Sequence, residues 1–175
     1  MRMSDGVEWG LHSVWLLSQL PEGAVLAGKT LAEFHGVSES YLLKHLKALV
    51  AARILGSVPG PRGGYRLARP TTEVSFLDVA RAIEGPEPAF RCTEIRQRGP
   101  IGAPPEACRL PCSIHRTMSE AEAAWMNVLK RRTIADLTAE LLQTLPPERQ
   151  QSIAAWLEQH IREGDGKRRG ANGST

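Results

Sequence analysis

The stretch GVSESYLLKHLKALVAARILGSVPGPRGGYRLARP, residues 36–70, decides the fold of this chain. Its first half predicts a helix that begins after Ser38, since a serine hydroxyl is typical of a helix N-cap. One face of this helix is apolar and consists of Leu42, Leu46 and Leu49. The opposite face is polar and basic and consists of Ser40, Lys44 and Lys47. The second half has two short strand-like pieces around a Pro/Gly turn, which predicts a β-hairpin.

Two more helices precede this stretch. Apolar residues recur at helical spacing over residues 7–20, and Pro-Glu-Gly at 21–23 ends that helix. A short helix then runs over about residues 29–35 and ends at Gly36, a residue that suits a left-handed C-terminal cap. Two short helices joined by a tight turn and followed by a hairpin predict a winged helix-turn-helix domain.

The chain after the hairpin predicts further helices around a long loop. Residues 75–85 predict a helix, and residues 86–111 lack periodicity and collect proline and glycine. Ser119 and Glu122 fit a capping box that opens a long helix to about Leu145. Its apolar stripe consists of Trp125, Val128, Leu129, Leu137, Leu141 and Leu142. Two prolines then start a last helix, and the polar end of the chain predicts disorder.

Composition restricts the class of protein. The chain has 175 residues, 42% of them hydrophobic and 23% charged, which is typical of a soluble globular protein. No apolar run is long enough to span a membrane, and the amino terminus lacks the apolar stretch of a signal peptide. We therefore expect a cytoplasmic protein with no membrane partner. Three cysteines, an odd number, favour metal or redox chemistry over a disulfide scaffold.

The third helix and the hairpin favour DNA binding. The basic face of the helix can enter a major groove, and arginines near the hairpin tip suit phosphate or minor-groove contacts. Residues 1–70 contain eight Lys/Arg and five Asp/Glu, a net charge of +3. The alternative is an ordinary solvated face on a small α/β domain. The candidate DNA-binding residues are Ser38, Ser40, Tyr41, Lys44, Lys47 and Arg62.

The cysteines favour a metal centre. In CRLPCSIH, residues 108–115, Cys108 and Cys112 lie close enough to bind one metal ion or one edge of a cluster, and His115 follows. Thiolates suit iron–sulfur clusters and zinc, but the spacing is not the usual CxxC of a zinc site. The loop can also bring Cys92 nearby. The alternative is that these are free cysteines without a ligand.

The stretch quoted first, followed by VSFLDVARAIEG at 74–85, resembles the winged-helix repressor family of the iron–sulfur regulator IscR and the nitric-oxide sensor NsrR. The resemblance covers about residues 5–145, and its most specific parts are SYL, GPRGGYRLA and DVARAIEG. It implies a homodimer joined through the long helix, with an iron–sulfur cluster held by loop cysteines. Because Leu43 and Lys44 replace the acidic and amide side chains that follow SYL in IscR, we transfer no operator sequence.

The resemblance also suggests where the remaining cluster ligands lie, because a [2Fe–2S] cluster needs four. His115 follows Cys112 as the histidine ligand does in IscR. The sequence EWGLH, residues 8–12, places Glu8 and His12 one turn apart with Trp9 between them. This pair resembles RsrR, the redox-responsive member, in which Glu and His of one subunit join two cysteines of the other. The favoured metal ligands are Glu8, His12, Cys108 and Cys112, over sets that use Cys92 or His115.

Two simpler interpretations stand beside this one. Glu8 and His12 could form an ordinary exposed helical pair, and Trp9, assigned here as a redox relay, could be ordinary packing. The chain would then be a winged-helix regulator whose cysteines form a thiol switch or a zinc site. An enzyme is not expected, because Cys112 and His115 lack an oxyanion-forming glycine turn and GPRGGY is not a dinucleotide motif.

We therefore expect a mainly α fold with a small β-wing, in the form of a winged helix-turn-helix domain plus a long dimerisation helix. Residues 1–85 are the DNA-binding domain, 86–118 a cysteine-bearing cluster-binding loop, 119–162 the dimerisation and C-terminal helices, and 163–175 a disordered tail. The expected function is that of a redox-sensing transcriptional repressor with a [2Fe–2S] cluster. Its partners are a double-stranded DNA operator and a second copy of the chain.

Overall fold

The computed structural model describes residues 3–164. The described part of the chain is mainly helical, as predicted, and has two small antiparallel sheets, of which one is the predicted wing and the other was not predicted. Its elements are α1 (Asp5–Ser18), β1 (Ala24–Val25), α2 (Gly28–His35), α3 (Glu39–Ala51), β2 (Leu55–Val58), β3 (Gly64–Leu67), α4 (Phe76–Glu84), α5 (Ser113–Arg131), α6 (Ile134–Thr144), α7 (Pro147–His160) and β4 (Arg162–Glu163). Among these helices none is long and apolar enough to cross a membrane.

The core lies where α1, α3 and α4 pack together, with α6 closing one side. Leu42, Leu46 and Leu49 of α3 are completely buried, which confirms the predicted apolar face. Leu16 of α1 and Ile134 of α6 are buried in the same cluster. Each such side chain contributes about 1.5–3 kcal/mol through removal of apolar surface from water. The core therefore fixes α3 by its apolar face and leaves its basic face outward.

The turn between α2 and α3 has the predicted geometry. Gly36 adopts a left-handed conformation with φ 65°, and the Val37 N–H donates to the Ala32 carbonyl at 3.0 Å. Ser38 occupies the N-cap position of α3, as predicted, but its side chain caps no backbone N–H of the helix. Its hydroxyl oxygen lies 3.2 Å from that of Ser40 instead. Both hydroxyls are thus exposed at the start of α3.

The wing is the predicted hairpin of β2 and β3, whose register pairs Leu55 with Leu67 and Val58 with Gly64. Leu26, just after β1, forms a β-bridge with Tyr65 of β3. The two backbones approach so closely that a Cβ atom at Gly64 would lie 2.3 Å from the Leu26 carbonyl oxygen. Only glycine fits this position, so Gly64 fixes the wing against the body of the domain.

The predicted start of the long helix at Ser119 is wrong. The helix begins at Ser113 and is capped by Cys112, whose Sγ accepts the His115 N–H at 3.4 Å. Ser119 lies inside α5, so the Ser119–Glu122 pair is an ordinary helical pair and no capping box. The loop predicted over 86–118 consequently ends at Cys112, and one of the two close cysteines is part of a helix terminus.

The predicted single helix to Leu145 is also wrong, because it breaks between α5 and α6. Thr133 forms a capping box with Asp136 that starts α6. Thr133 also forms a β-bridge with Ser75, and the Ile134 N–H donates to the Val74 carbonyl at 2.9 Å. These long-range bonds hold the backbone at Arg132 and Thr133 in extended geometry, so the helix ends there and a new one begins.

The C-terminal helix α7 begins at the two prolines, as predicted, with Pro146 as its N-cap, and packs through Leu157, which is 7% exposed. Its Trp156 ring contacts Phe34 of α2 at a centroid distance of 4.7 Å. The prediction of disorder for 163–175 is wrong at its first residue, because Glu163 belongs to β4, which pairs with β1. Residues 165–175 lie outside the described residues.

Candidate DNA interface and sensor site

The candidate DNA-binding residues all lie on the surface. Ser38, Ser40, Tyr41, Lys44 and Lys47 of the α3 region are exposed, and so is Arg62 in the wing turn. Because Leu42, Leu46 and Leu49 hold the other face of α3 in the core, these side chains point into solvent. The Lys44 Nζ atom lies 6.0 Å from the centroid of the Tyr41 ring. The exposed face of α3 is thus polar, basic and aromatic.

Trp9 on α1 contacts this helix directly. Its ring lies edge-to-face with Tyr41 at a centroid distance of 5.2 Å and with His45 at 6.4 Å. Tyr41 and His45 are themselves 4.8 Å apart in an edge-to-face arrangement. We call these three residues the aromatic cluster. Edge-to-face pairs contribute about 0.5–1.5 kcal/mol each beyond their buried area, so the cluster couples α1 to α3.

His45 is the buried member of the aromatic cluster, with 5% of its surface exposed. A Cβ atom at Gly6 of α1 would lie 2.3 Å from its Cε1 atom, so the ring fits only because α1 has glycine there. Burial above all, with a contribution from the Lys44 charge, lowers the pKa of His45, while Glu84 opposes the shift. The ring is therefore held neutral against the α1 backbone.

Glu8 and His12 are both exposed and lie one turn apart on α1. The His12 ring is 6.0 Å from the ring of His35 on α2, and Glu8, His12 and His35 line one cavity with Trp9. Burial, and to a lesser extent the charge of His12, lowers the pKa of His35 from 6.5 to about 4. The face of α1 that carries the candidate ligands is thus next to both α2 and the aromatic cluster.

The cysteines lie in a loop organised by Arg96. Its guanidinium forms an ion pair with Glu94 at 2.8 Å and donates to the Cys108 carbonyl at 3.3 Å. Cys92 donates to Glu94 through its thiol at 3.6 Å. The Glu94 hydrogen bond above all raises the pKa of Arg96, and the charges of Cys108 and Cys112 act in the same direction. All three cysteines are free and half-buried.

The two candidate ligand pairs do not meet within one chain. Among residues 3–164, no group of three or more His, Cys, Asp or Glu side chains is placed to hold a metal ion. Glu8 and His12 remain together on α1, and Cys108 and Cys112 remain together at the end of the loop. Within the described residues the two pairs therefore form no common site.

The chain matches the family model described as Rrf2, iron-dependent transcriptional regulator, over residues 3–140. It belongs to this family. A relative from Bacillus subtilis that is named as an HTH-type transcriptional regulator, YwgB, is 31% identical over 134 residues, which are 77% of this chain and 82% of the relative. The family and this relative are transcriptional regulators, not enzymes, and the family binds DNA.

Two solved structures show the same fold. IscR of T. potens aligns with a TM-score of 0.61 and 22% identity, over 83% of this chain and 92% of that one. CymR of Staphylococcus aureus in its oxidized form aligns with a TM-score of 0.57 and 25% identity, over 78% and 95%. The family match ends at residue 140, so α7 and β4 lie beyond it.

Three residues of the site are not among those predicted: His35, His45 and Arg96. His45 had a usable signal, since it stands four residues after Tyr41 and interrupts an otherwise leucine-rich face. His35 and Arg96 had no such signal. His35 on α2 contacts His12 on α1, and Arg96 contacts Cys108 within an irregular loop, so no short spacing in the sequence predicts either contact.

We expect His35 to make stability depend on pH. Its pKa is 6.5 when unfolded and about 4 when folded, so the unfolded chain binds more protons between those values. Stability is therefore fully present above pH 6.5 and is lost as the pH falls towards 4. In urea unfolding at pH 7 and pH 5, His35→Gln should lose less stability on acidification than the wild type. His45 should also make the free energy of unfolding fall as the pH falls, so some pH dependence should remain in the variant. If the His35→Gln variant loses as much stability between pH 7 and pH 5 as the wild type does, His35 is not the source of the pH dependence.

Proposed function

We propose that the protein is a homodimeric transcriptional repressor that reads its operator with α3 and the wing and senses redox state through a cluster shared between subunits. The observation that carries the proposal is the aromatic cluster. It joins the segment of α1 that bears Glu8 and His12 to the exposed face of α3 through direct ring contacts. A structural change at the face of α1 that carries Glu8 and His12 would therefore reach α3 through the direct ring contacts of Trp9.

The charge and exposure of α3 support its role in the major groove. Lys44 and Lys47 are exposed on one face, and the hydroxyls of Ser38 and Ser40 form no capping hydrogen bond with the helix backbone. Lysines suit phosphate oxygens and hydroxyls suit phosphates or base edges. Arg62 lies at the tip of the wing, where it can reach the DNA phosphate backbone or the minor groove next to the site that α3 occupies.

We expect Lys44→Ala and Arg62→Ala each to weaken binding to all duplex sequences without changing the melting temperature. Each loss of a phosphate contact should reduce the slope of log K against log salt by about 0.9. The measurement is fluorescence anisotropy over a range of salt concentrations, on a duplex selected from a random library and on a random duplex. Lys130→Ala at the end of α5 is the control and should bind like the wild type. Wild-type binding by both variants would contradict the placement of helix and wing.

The exposed side of α5 supports dimerisation. This helix has no buried residue in the described chain, although its sequence is strongly amphipathic. Its outer apolar residues are spaced four and three apart, which is the spacing of a coiled-coil seam. They are Ile114, Met118, Ala121, Trp125 and Val128. Ile114 and Val128 are both 66% exposed, so a second copy of the helix is the natural cover.

We expect Met118→Glu combined with Val128→Glu to convert the dimer to a monomer, because two charges would be buried in the seam. Asn127→Glu adds a charge to the opposite side of α5 and should remain dimeric. Sedimentation velocity at several concentrations distinguishes the two results. A dimeric double variant would mean that another surface joins the subunits.

The residues fit a shared [2Fe–2S] cluster in their chemistry. Each chain offers one carboxylate, one imidazole and two half-buried thiols as separate pairs, and the cluster needs four ligands. Glu8 and His12 of one subunit would join Cys108 and Cys112 of the partner. When bound, the cluster would supply a one-electron change, with a potential that histidine ligation raises. Trp9, next to Glu8, would then transmit the change to Tyr41 and His45 through the contacts described above.

A thiol switch is the second candidate, and the loop geometry favours it specifically. Cys112 caps the N-terminus of α5, where its Sγ accepts the His115 N–H at 3.4 Å. The Arg96 guanidinium adds positive charge near Cys108 and Cys112. Solvent-accessible thiols beside a positive charge can be oxidised reversibly. CymR, a structural neighbour, has been solved in an oxidized form. A zinc site with the same cysteines remains part of this second candidate.

A mixing experiment tests ligand sharing. We expect neither the Glu8→Ala/His12→Ala homodimer nor the Cys108→Ala/Cys112→Ala homodimer to hold a cluster after anaerobic reconstitution. A heterodimer of the two retains one intact site of its two and should recover about half of the wild-type cluster absorbance. A cluster retained by the Glu8→Ala/His12→Ala homodimer would mean that each subunit ligates its own cluster with Cys92 or His115, and no recovery in verified heterodimers would contradict sharing between subunits. A wild-type protein that is colourless and lacks iron and sulfide would instead support the thiol switch or the zinc site.

A further inference from the structure

The tip of the wing is bonded to β4. The turn between β2 and β3, residues 59–63, carries Arg62. The guanidinium of Arg162 in β4 donates to the Pro61 carbonyl in this turn at 3.1 Å. Because a peptide unit is planar, the Pro61 carbonyl and the Arg62 N–H move as one body. The bond from Arg162 therefore holds the backbone from which the Arg62 side chain extends.

β4 is held in turn by β1 and by the wing itself. Arg162 pairs with Val25 of β1, and the Gly164 N–H, just after β4, donates to the Gly23 carbonyl at 3.0 Å. A Cβ atom at Gly164 would lie 3.0 Å from the Cγ1 atom of Val25 and 3.5 Å from the Cγ2 atom of Val58 in β2. Val25 is completely buried. The chain after α7 is thus in close contact with both β1 and the wing.

The helix before β4 anchors this strand to the domain body. Leu157 of α7 is buried, and the Trp156 ring contacts that of Phe34 on α2 at a centroid distance of 4.7 Å. The N–H of Ile161, which joins α7 to β4, donates to the Leu157 carbonyl at 2.9 Å. Both elements lie beyond the family match at residues 3–140. The connection from the core to the wing tip therefore runs through a segment that the family model does not account for.

We propose that α7 and β4 form a strap that positions the wing for DNA, with Arg162 as a positioning residue that acts through Arg62. An exposed turn that is free to change conformation must be ordered when it binds, and this ordering lowers affinity. The strap reduces the loss, because it holds the wing turn before DNA arrives. The inference rests on the proposed function, since it requires Arg62 to contact DNA.

Three single substitutions separate the effect of the strap from that of net charge. Arg162→Ala removes the bond to Pro61 together with one positive charge. Gly164→Pro removes the N–H that bonds Gly23 and keeps every charge. Arg149→Ala is the control, because it removes one positive charge from the exposed start of α7 and breaks none of these contacts.

We expect the two strap variants, Arg162→Ala and Gly164→Pro, to loosen the wing turn in the absence of DNA. The Gly63 N–H donates to the Gly60 carbonyl across this turn at 2.9 Å. Hydrogen exchange at Gly63, measured by NMR, should become roughly 2- to 10-fold faster, which corresponds to the loss of one hydrogen bond. Exchange in the core of α3 should not change, and the control should exchange like the wild type throughout.

A double-mutant cycle with Arg62 tests the positioning role on DNA. The probes are the duplex that the full chain selects from a random library and a random duplex of equal length. Arg162→Ala alone should weaken binding by roughly 2- to 10-fold. In an Arg62→Ala background it should change neither the affinity nor the slope of log K against log salt, because it acts through the residue already removed. Gly164→Pro should behave in the same way.

Additive losses in the cycle, with a salt slope that falls by about 0.9 more, would mean that Arg162 contacts a phosphate directly and would overturn the proposal. Wild-type exchange at Gly63 in both strap variants would overturn it as well. If Arg62→Ala weakens binding while both strap variants bind normally, the proposed function stands and the strap fails. If Arg62→Ala itself binds like the wild type, the placement of the wing on DNA and the role of the strap both fail.

Discussion

Close packing of α1 against α3 and α4 is the contact on which the rest of the structure depends. Gly6 and Gly10 lie one turn apart on α1. A Cβ atom at Gly6 would lie 2.3 Å from the His45 side chain, and one at Gly10 would lie 2.4 Å from the Ile83 side chain. The two glycines let α1 approach both helices at once. The same approach places Trp9 against α3, so the fold and the proposed signal path have one physical basis.

The break between α5 and α6 separates two functions that a continuous helix would combine. The Phe76 N–H donates to the Arg132 carbonyl and the Ile134 N–H to the Val74 carbonyl, and these two bonds tie the chain to the start of α4. Ile134 then enters the core, and α6 packs against the domain body. α5 is left with an exposed apolar seam that is free to meet a partner. In the proposed dimer, dimerisation and domain packing would therefore use different helices.

The sequence predicts those features that depend on short spacings along the chain. The leucines of α3 predict which face of the helix is buried, because residues on one face recur at helical spacing. Gly36 predicts the C-terminal cap of α2, because few residues other than glycine tolerate a left-handed backbone conformation. The start of α6 also had a local signal, the Thr133–Asp136 capping box, but the apolar stripe continued past it. The hydrogen bonds at the break join residues 132 and 134 to residues 74 and 76, which are far away along the chain, so no short spacing in the sequence indicates them. Pairing of β1 with β4 is invisible for the same reason.

For the candidate site, the residue types were predictable but their separation was not. Glu8 and His12 share a helical face by spacing, and Cys108 and Cys112 share a loop, but only the fold shows that one chain does not unite the pairs. This separation has a consequence for the proposed sensor. A cluster bound across the dimer would join the α1 of one subunit to the α5 terminus of the other, because Cys112 caps α5. Since α1 contacts α3 through the aromatic cluster, a redox change of the cluster would alter the positions of the two α3 helices relative to the dimer axis. The separation of these two helices sets the spacing of the DNA half-sites that the dimer can bind.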